Sequence, residues 1–102
     1  MNFNEVCAQI LDHYGRDKQE IQAAQELNEL QSLMLRREDQ RGETYIRNIV
    51  SEIADVEIMI EQIKQMHRIT DDYVEDMIKY KLRRQLSRIE KEVTGGEVLE
   101  NH

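Results

Sequence analysis

Two pairs of acidic residues in this 102-residue chain have a spacing that suits metal binding. Glu26 and Glu29 form the first pair, and Glu52 and Asp55 form the second. Residues at positions i and i+3 lie on the same side of an α-helix, so each pair can present two carboxylates to one ligand. Carboxylate oxygens are the ligands that hard cations such as Mg²⁺ prefer. The chemistry indicated is therefore the binding of a divalent cation by acids on two helices.

The position of each pair in its helix is more informative than the spacing. With 21 acids in 102 residues, roughly four i, i+3 pairs are expected by chance. Glu26, however, lies about 60° around its helix from the apolar line through Ala23. Glu52 lies at a similar angle from the apolar line through Ile49 on the next helix. We therefore expect both pairs at the edge of the core, where antiparallel packing of the two helices would bring four carboxylates together.

Convergence of four carboxylates in a partly dry site is costly unless they are protonated or surround a cation. A few carboxylates that leave room for water and substrate phosphates are the usual way in which proteins hold Mg²⁺. The alternative is that each pair forms ordinary surface salt bridges with neighbouring Lys or Arg side chains. The spacing alone leaves both interpretations open.

A basic stripe on the last predicted helix is a second candidate binding feature. Lys81, Arg84 and Arg88 lie at positions i, i+3 and i+7 and flank an apolar stripe that includes Ile78 and Leu82. Arg forks and Lys point charges are the groups that recognise phosphate. Acids that hold Mg²⁺ opposite this stripe would form a polyphosphate site. The alternative is a solvated basic face on an otherwise acidic protein.

Helical periodicity predicts the elements that position these residues. No segment has the two-residue alternation of a β-strand, so we predict an all-α fold, an antiparallel bundle of about four helices that associates as an oligomer. The first helix is predicted from Phe3 to Tyr14, with Gly15 as its stop, and the second from the N-cap Asp17 to about Arg37. A loop from Arg37 to Glu43 follows. The third helix is predicted from Glu43 or Thr44 to near His67, and the fourth from the N-cap Thr70 to Thr94-Gly95-Gly96.

The longest apolar stripe lies on the third predicted helix. Its members are Ile46, Ile49, Ile53, Val56, Ile60 and Ile63. A chain of this length buries only roughly 65% of its unfolded surface, which is marginal for helices with such wide apolar faces. Association with further copies of the chain is therefore expected.

The composition limits the class of protein and its partners. The chain has no Pro and one Cys, which excludes a disulfide scaffold, and its periodic apolar residues argue against disorder. We predict a single domain over residues 1–93 and a flexible tail over 94–102. No apolar run suits a membrane span and no secretory signal is evident, so we expect a cytoplasmic protein with no membrane partner. A net charge of -7 repels phosphate backbones, which makes a nucleic-acid polymer an unsuitable partner.

The residues around the two acidic pairs resemble a known family. The segments in question are Gln25-Glu26-Leu27-Asn28-Glu29-Leu30 and, after a spacer, Glu52-Ile53-Ala54-Asp55-Val56. In this order they resemble the ExxE…ExxD signature of the MazG-like all-α nucleoside triphosphate pyrophosphohydrolases. The segments Tyr14-Gly15 to Gln19 and Lys81 to Arg88 are also similar to that family, so the resemblance covers about residues 10 to 92. Gln25 is a departure, because family members often have a further Glu there.

The resemblance implies a helical bundle that associates as a dimer or tetramer. It also implies Mg²⁺-dependent cleavage of a nucleoside triphosphate between the α and β phosphates, which yields a nucleoside monophosphate and pyrophosphate. One carboxylate that is not fully engaged with metal would accept the proton of the attacking water, with Glu29 as the candidate; the sequence leaves the choice among the four acids open. The metal-binding acids would be Glu26, Glu29, Glu52 and Asp55, and the phosphate contacts would be Lys81, Arg84 and Arg88.

A second hypothesis is a non-catalytic helical module whose apolar stripes serve only oligomerisation or protein interaction. Short, acidic helical chains often act in this way. The two hypotheses differ in their requirement for a divalent cation at the acidic pairs.

Overall fold

The computed structural model describes residues 1–36 and 42–100, and these ranges contain four α-helices and no strand. The helices are α1 (Phe3–Tyr14), α2 (Arg16–Leu35), α3 (Glu43–Met66) and α4 (Asp71–Glu100). The prediction of an all-α fold is confirmed. None of these four described helices combines the length and the apolar character needed to cross a membrane.

Gly15 ends α1 and begins α2, as a residue with a positive φ of 88°. An L side chain rarely adopts this conformation, which explains the Gly at the junction. The backbone N–H of Gly15 donates a hydrogen bond to the Leu11 carbonyl at 2.8 Å. Our prediction that Asp17 is the N-cap of the second helix is wrong, because Gly15 is the N-cap and Asp17 lies in the first turn. There its carboxylate faces the positive end of the helix dipole.

Helix α3 begins after Gly42, which has a φ of 126°, and ends with His67 as its C-cap. Both ends agree with the predicted boundaries. Helix α2 ends at Leu35 with Arg36 as its C-cap, slightly before the predicted end near Arg37. Most of the predicted loop between these helices, residues 37–41, lies outside the described residues.

Helix α4 begins with the predicted cap and ends later than predicted. The Tyr73 N–H donates to Thr70 Oγ1 at 3.3 Å, which confirms Thr70 as the N-cap. The predicted end at Thr94-Gly95-Gly96 is wrong, because α4 continues to Glu100. Gly in a helix costs only about 1 kcal/mol relative to Ala and keeps its N–H, so two glycines weaken a helix without ending it. Residues 101 and 102 lie outside the description, and the flexibility of the segment 94–102 stays a prediction.

Helices α1, α2 and α3 form a compact unit over Met1–Arg68, and α4 belongs to a second unit over Ile69–His102. The single domain over residues 1–93 stays a prediction, and each unit is described by itself. In the first unit α2 and α3 pack against each other and run antiparallel, since Gln19 pairs with Gln62 while Glu26 lies beside Asp55. Helix α1 packs against both.

The apolar core of the described residues is small. Its buried members are Cys7, Ala23, Leu33, Val56 and Met59. The predicted α3 stripe is only partly buried, because Ile46, Ile53 and Ile60 are 56%, 44% and 45% exposed. These three residues lie about 100° around α3 from the line of Glu52, and α3 turns the Glu52 side toward α2. The exposed line of Ile46, Ile53 and Ile60 therefore remains an apolar surface.

Arg16 links the first turn of α2 to the last turn of α3. Its Nη1 donates to the Met66 carbonyl at 3.4 Å, and its Nη2 lies 3.4 Å from His67 Nδ1. The same guanidinium pairs with Glu20 at 2.9 Å. A cation at the C-terminus of α3 is favoured by the helix dipole. This contact fixes the end of the α2–α3 pair that is remote from Gly42.

Candidate metal centre

The face between α2 and α3 carries polar residues in place of much of the expected apolar core. Successive positions along this face of α3 are Asn48, Glu52, Asp55, Met59 and Gln62, and those along α2 are Gln19, Ala23, Glu26, Leu30 and Leu33. The spacings of three, four and seven residues place each set on one side of its helix. Antiparallel packing then brings the acids of the two helices to the same level.

Glu26, Glu52 and Asp55 meet at this interface, and all three side chains are half-buried. Each offers one carboxylate oxygen, and the three oxygens lie within 4.8 Å of one another. We call these three residues the acid cluster. The structure thus brings three of the four predicted acids together, half-buried between α2 and α3.

Two oxygens of the acid cluster are buried without a partner in the described part of the chain. Glu26 Oε1 accepts a hydrogen bond from Gln22 Nε2 at 2.8 Å, while Glu26 Oε2 and Glu52 Oε2 accept none from the described residues as long as all three acids are ionised. A buried acceptor without a partner costs about 1–3 kcal/mol, and more when it is charged. The arrangement therefore leaves two strong acceptors to be satisfied by a proton or a cation.

The pKa of Glu52 is raised from 4.5 to about 7. Burial is the largest cause, followed by the charges of Glu29 and Glu26, a hydrogen bond to Glu26 and the charge of Asp55. Burial also raises the pKa of Asp55, with further contributions from the charge of Glu26 and a hydrogen bond to it. Every neighbouring charge that shifts these two carboxyls is another carboxylate. The surface salt-bridge interpretation predicts the opposite shift, because a cationic partner lowers the pKa of an acid.

Glu29 lies beside the acid cluster but is exposed. It follows Glu26 by one turn of α2, and its charge is the second cause of the raised Glu52 pKa. Glu29 is therefore close enough to act on the cluster, while its own carboxylate remains accessible to water. It is not one of the three residues whose oxygens converge.

The predicted phosphate ligands lie on α4, in the second unit. Lys81, Arg84 and Arg88 are exposed, and the Arg84 guanidinium lies 5.6 Å from the centre of the Tyr80 ring. They share one edge of α4, as their spacing predicts. Their contact with a substrate phosphate stays a prediction.

The sequence analysis did not predict that three glutamines would contribute to this interface. Gln22 orients Glu26 from one turn before it on α2, an i, i+4 relation that the sequence already contains. Gln19 and Gln62 are buried, and Gln19 Nε2 donates to Gln62 Oε1 at 2.8 Å. They lie seven residues from Glu26 and Asp55, which is the only sequence signal for their position on the same face.

The acid cluster fits a hard divalent cation. Its donors are all carboxylate oxygens, two of them are unpaired, and the repulsion among the three acids would be relieved by positive charge. Glu29 lies at the rim with an exposed side chain. Comparison of the chain with protein-family models, with curated proteins and with solved structures finds no match.

Proposed function

We propose that the chain is a Mg²⁺-dependent, MazG-like nucleoside triphosphate pyrophosphohydrolase that cleaves (d)NTP to (d)NMP and pyrophosphate. The observation that carries the proposal is the convergence of Glu26, Glu52 and Asp55 within 4.8 Å, with two buried oxygens unpaired. The ExxE…ExxD resemblance supplies the reaction class. We propose both the pyrophosphohydrolase reaction and Mg²⁺ as the cation.

In this proposal both α2 and α3 supply ligands to the cation. Glu52 and Asp55 from α3 and Glu26 from α2 bind the cation, with Glu29 as a fourth ligand at the exposed rim. Gln22 holds the Glu26 carboxylate in place through its 2.8 Å hydrogen bond. When bound, Mg²⁺ supplies charge neutralisation for phosphate oxygens and makes water more acidic.

Glu29 is the residue to which we assign proton acceptance. It is the one predicted acid that stays exposed, so water can reach its carboxylate in a way that the half-buried acids do not allow. Transfer of a proton from the attacking water to Glu29 would assist cleavage of the bond between the α and β phosphates. Lys81, Arg84 and Arg88 would bind the phosphates as cationic partners.

We further propose that the active form is a homodimer or homotetramer in the cytoplasm. Support for assembly comes from large apolar side chains that remain exposed on several helices, including Ile53 at 44% on α3 and Leu86 at 65% on α4. Burial of a side chain of this size stabilises a protein by about 1.5–3 kcal/mol. A second copy of the chain would provide that burial.

The alternative is a non-catalytic helical module for oligomerisation or protein interaction. The same exposed apolar side chains favour it. It gives no reason, however, for acids with unpaired oxygens inside a helix interface. A test must therefore separate cation chemistry from simple association.

The experiment is a survey of ordinary and damaged (d)NTPs with Mg²⁺ in which pyrophosphate and orthophosphate release are measured separately. We expect pyrophosphate, because that product identifies cleavage between the α and β phosphates. Asp55→Asn keeps the shape of the side chain but removes its charge, and it should abolish turnover while the helical content stays unchanged. Asp12→Asn is the matched control, because Asp12 is an exposed acid of the same type on α1.

Two outcomes would contradict the proposal. Orthophosphate as the first product would place the reaction at a different bond. Turnover by Asp55→Asn at the wild-type rate would remove Asp55 from the site.

A further inference from the structure

A cavity of about 320 Å³ lies between the C-terminal end of α2 and the first two turns of α3. Its described lining includes Leu33 from α2, Arg36 at the C-cap of α2, and Glu43, Tyr45 and Asn48 from α3. Ligand pockets usually measure roughly 300–1,000 Å³, so this cavity suits a single small group. Gly42 and Thr44 also line it.

The cavity continues the face that carries the acid cluster. Asn48 precedes Glu52 by four residues on α3, which places the two about 6 Å apart along the helix axis. On α2, Leu33 follows Glu26 by seven residues, and a spacing of seven keeps two residues on one side of a helix. A molecule in the cavity would therefore lie next to the acids along the same groove.

The side chains that line the cavity have the chemistry of base recognition. Tyr45 is half-buried and offers an aromatic ring, and Leu33 is a buried apolar residue beside it. The Asn48 amide carries both donors and an acceptor, as the edge of a nucleobase does. Proteins that bind unpaired bases stack them on aromatic rings or Arg planes and pair their edges with polar side chains.

We propose that this cavity binds the nucleoside part of the substrate, with Tyr45 against the base and Asn48 at its polar edge. The inference rests on the proposed function, since it places the triphosphate at the acid cluster one turn away. The ribose bridges the two sites.

The charge of the lining argues against a phosphate in the cavity. Among the described residues that line the cavity, Arg36 is the one cation and Glu43 is the one acid, so their two formal charges cancel. A polyanion would be better served by a surplus of cations. A neutral, planar group with polar edges suits a lining of one aromatic ring, one amide and one apolar side chain. The nucleoside therefore belongs in the cavity and the triphosphate at the acid cluster.

The test compares Tyr45→Ala and Asn48→Ala with the wild type on two probes. A nucleoside triphosphate with Mg²⁺ would use both sites, whereas inorganic tripolyphosphate with Mg²⁺ would use the acid cluster alone. We expect each variant to raise the KM for the nucleotide at least about tenfold, because loss of one base-stacking or edge contact has effects of this size. Inhibition by tripolyphosphate should keep its wild-type concentration dependence. Asn28→Ala, which removes an exposed amide from α2, is the control and should leave both probes unchanged.

The outcomes separate this inference from the proposed function. If the wild type hydrolyses nucleotides and both variants match it, the base subsite is wrong and the hydrolase remains. Equal losses with both probes would also overturn the subsite, because they indicate damage to the acid cluster. If the wild type hydrolyses no nucleotide, the proposed function fails, and NMR titration with a nucleoside monophosphate without Mg²⁺ decides the cavity by itself. Shifts at Tyr45 and Asn48 would then support it, and their absence would overturn it.

Discussion

Replacement of Glu52 by Gln tests whether the acid cluster destabilises the metal-free protein. The pKa of Glu52 is raised from 4.5 to about 7 in the folded state. Between these values the folded protein holds a proton that the unfolded chain has released. Folding is therefore penalised progressively as the pH rises from about 4.5, and the penalty is complete above about 7. Gln has nearly the same shape and never ionises, so the variant lacks this penalty.

The size of the effect follows from the same values. At about 1.36 kcal/mol per pKa unit, the interval from 4.5 to about 7 gives an upper limit of roughly 3 kcal/mol. Glu52 is half-buried, and solvent screening reduces the energy, so we expect about 1 kcal/mol. For a domain of this size, about 1 kcal/mol changes the melting temperature by roughly 4–8 °C. Glu52→Gln should match the wild type near pH 5 and melt higher by this amount near pH 8.

Far-UV circular dichroism is a suitable assay because the chain is helical and contains no Trp. The protein is melted in EDTA, in Mg²⁺ and in NaCl of matched ionic strength. Mg²⁺ at about 100 times its Kd stabilises the folded state by about 2.7 kcal/mol, so the wild type should melt roughly 10 °C higher or more, whereas Glu52→Gln should respond less. Asp12→Asn changes the net charge by the same amount at an exposed position on α1 and is the control.

The reasoning would be refuted by a Glu52→Gln effect that is equal at low and high pH. It would also be refuted if Asp12→Asn behaved in the same way, since the cause would then be net charge. A wild-type response to Mg²⁺ no larger than the response to NaCl would remove the cation site and favour the interaction module.

Three further predictions concern other parts of the molecule. Lys81→Gln and Arg84→Gln should each raise KM or lower kcat without weakening Mg²⁺ binding, and normal hydrolysis by both would mean that the basic stripe is only solvated. Light scattering should give a mass of at least twice 12.2 kDa, and Ile53→Glu should lower it if the exposed line of α3 is the interface. Gln62→Leu should cost about 1–3 kcal/mol in urea unfolding by leaving Gln19 buried and unpaired, while the double change to Leu should cost less.

The ends of the helices were largely predictable because they depend on local chemistry. Gly15 takes a positive φ, and the Thr70 hydroxyl accepts from a first-turn N–H, as the sequence suggested. The errors have local causes too. We predicted Gly15 as the end of α1 and Asp17 as the N-cap of α2, whereas Gly15 is both the C-cap of α1 and the N-cap of α2.

The meeting of the acid cluster was predictable in part. Helical periodicity placed Glu26 and Glu52 beside the apolar lines of their helices, and antiparallel packing of α2 and α3 then brings them together. The rotation of α3 was not predictable, because the helix is apolar over a wide arc. Either the side of Ile53 or the side of Met59 could have faced α2, and the structure buries Met59. The burial of Gln62 was equally hidden, because a polar residue is placed in a core by its partner on another helix.

The contacts between α2 and α3 are more numerous at one end of their interface than at the other, so the interface should open from one end. At one end Arg16 joins the two helices, and the paired amides of Gln19 and Gln62 follow. The middle holds carboxylates with unpaired oxygens, and a cavity lies beyond them. Hydrogen exchange should therefore be slowest near Gln62 and faster toward Asn48, since local opening begins where fewer contacts must break. A cation bound across Glu26 and Asp55 would slow hydrogen exchange most at the Asn48 end of the interface. Its removal would let α2 and α3 separate from that end.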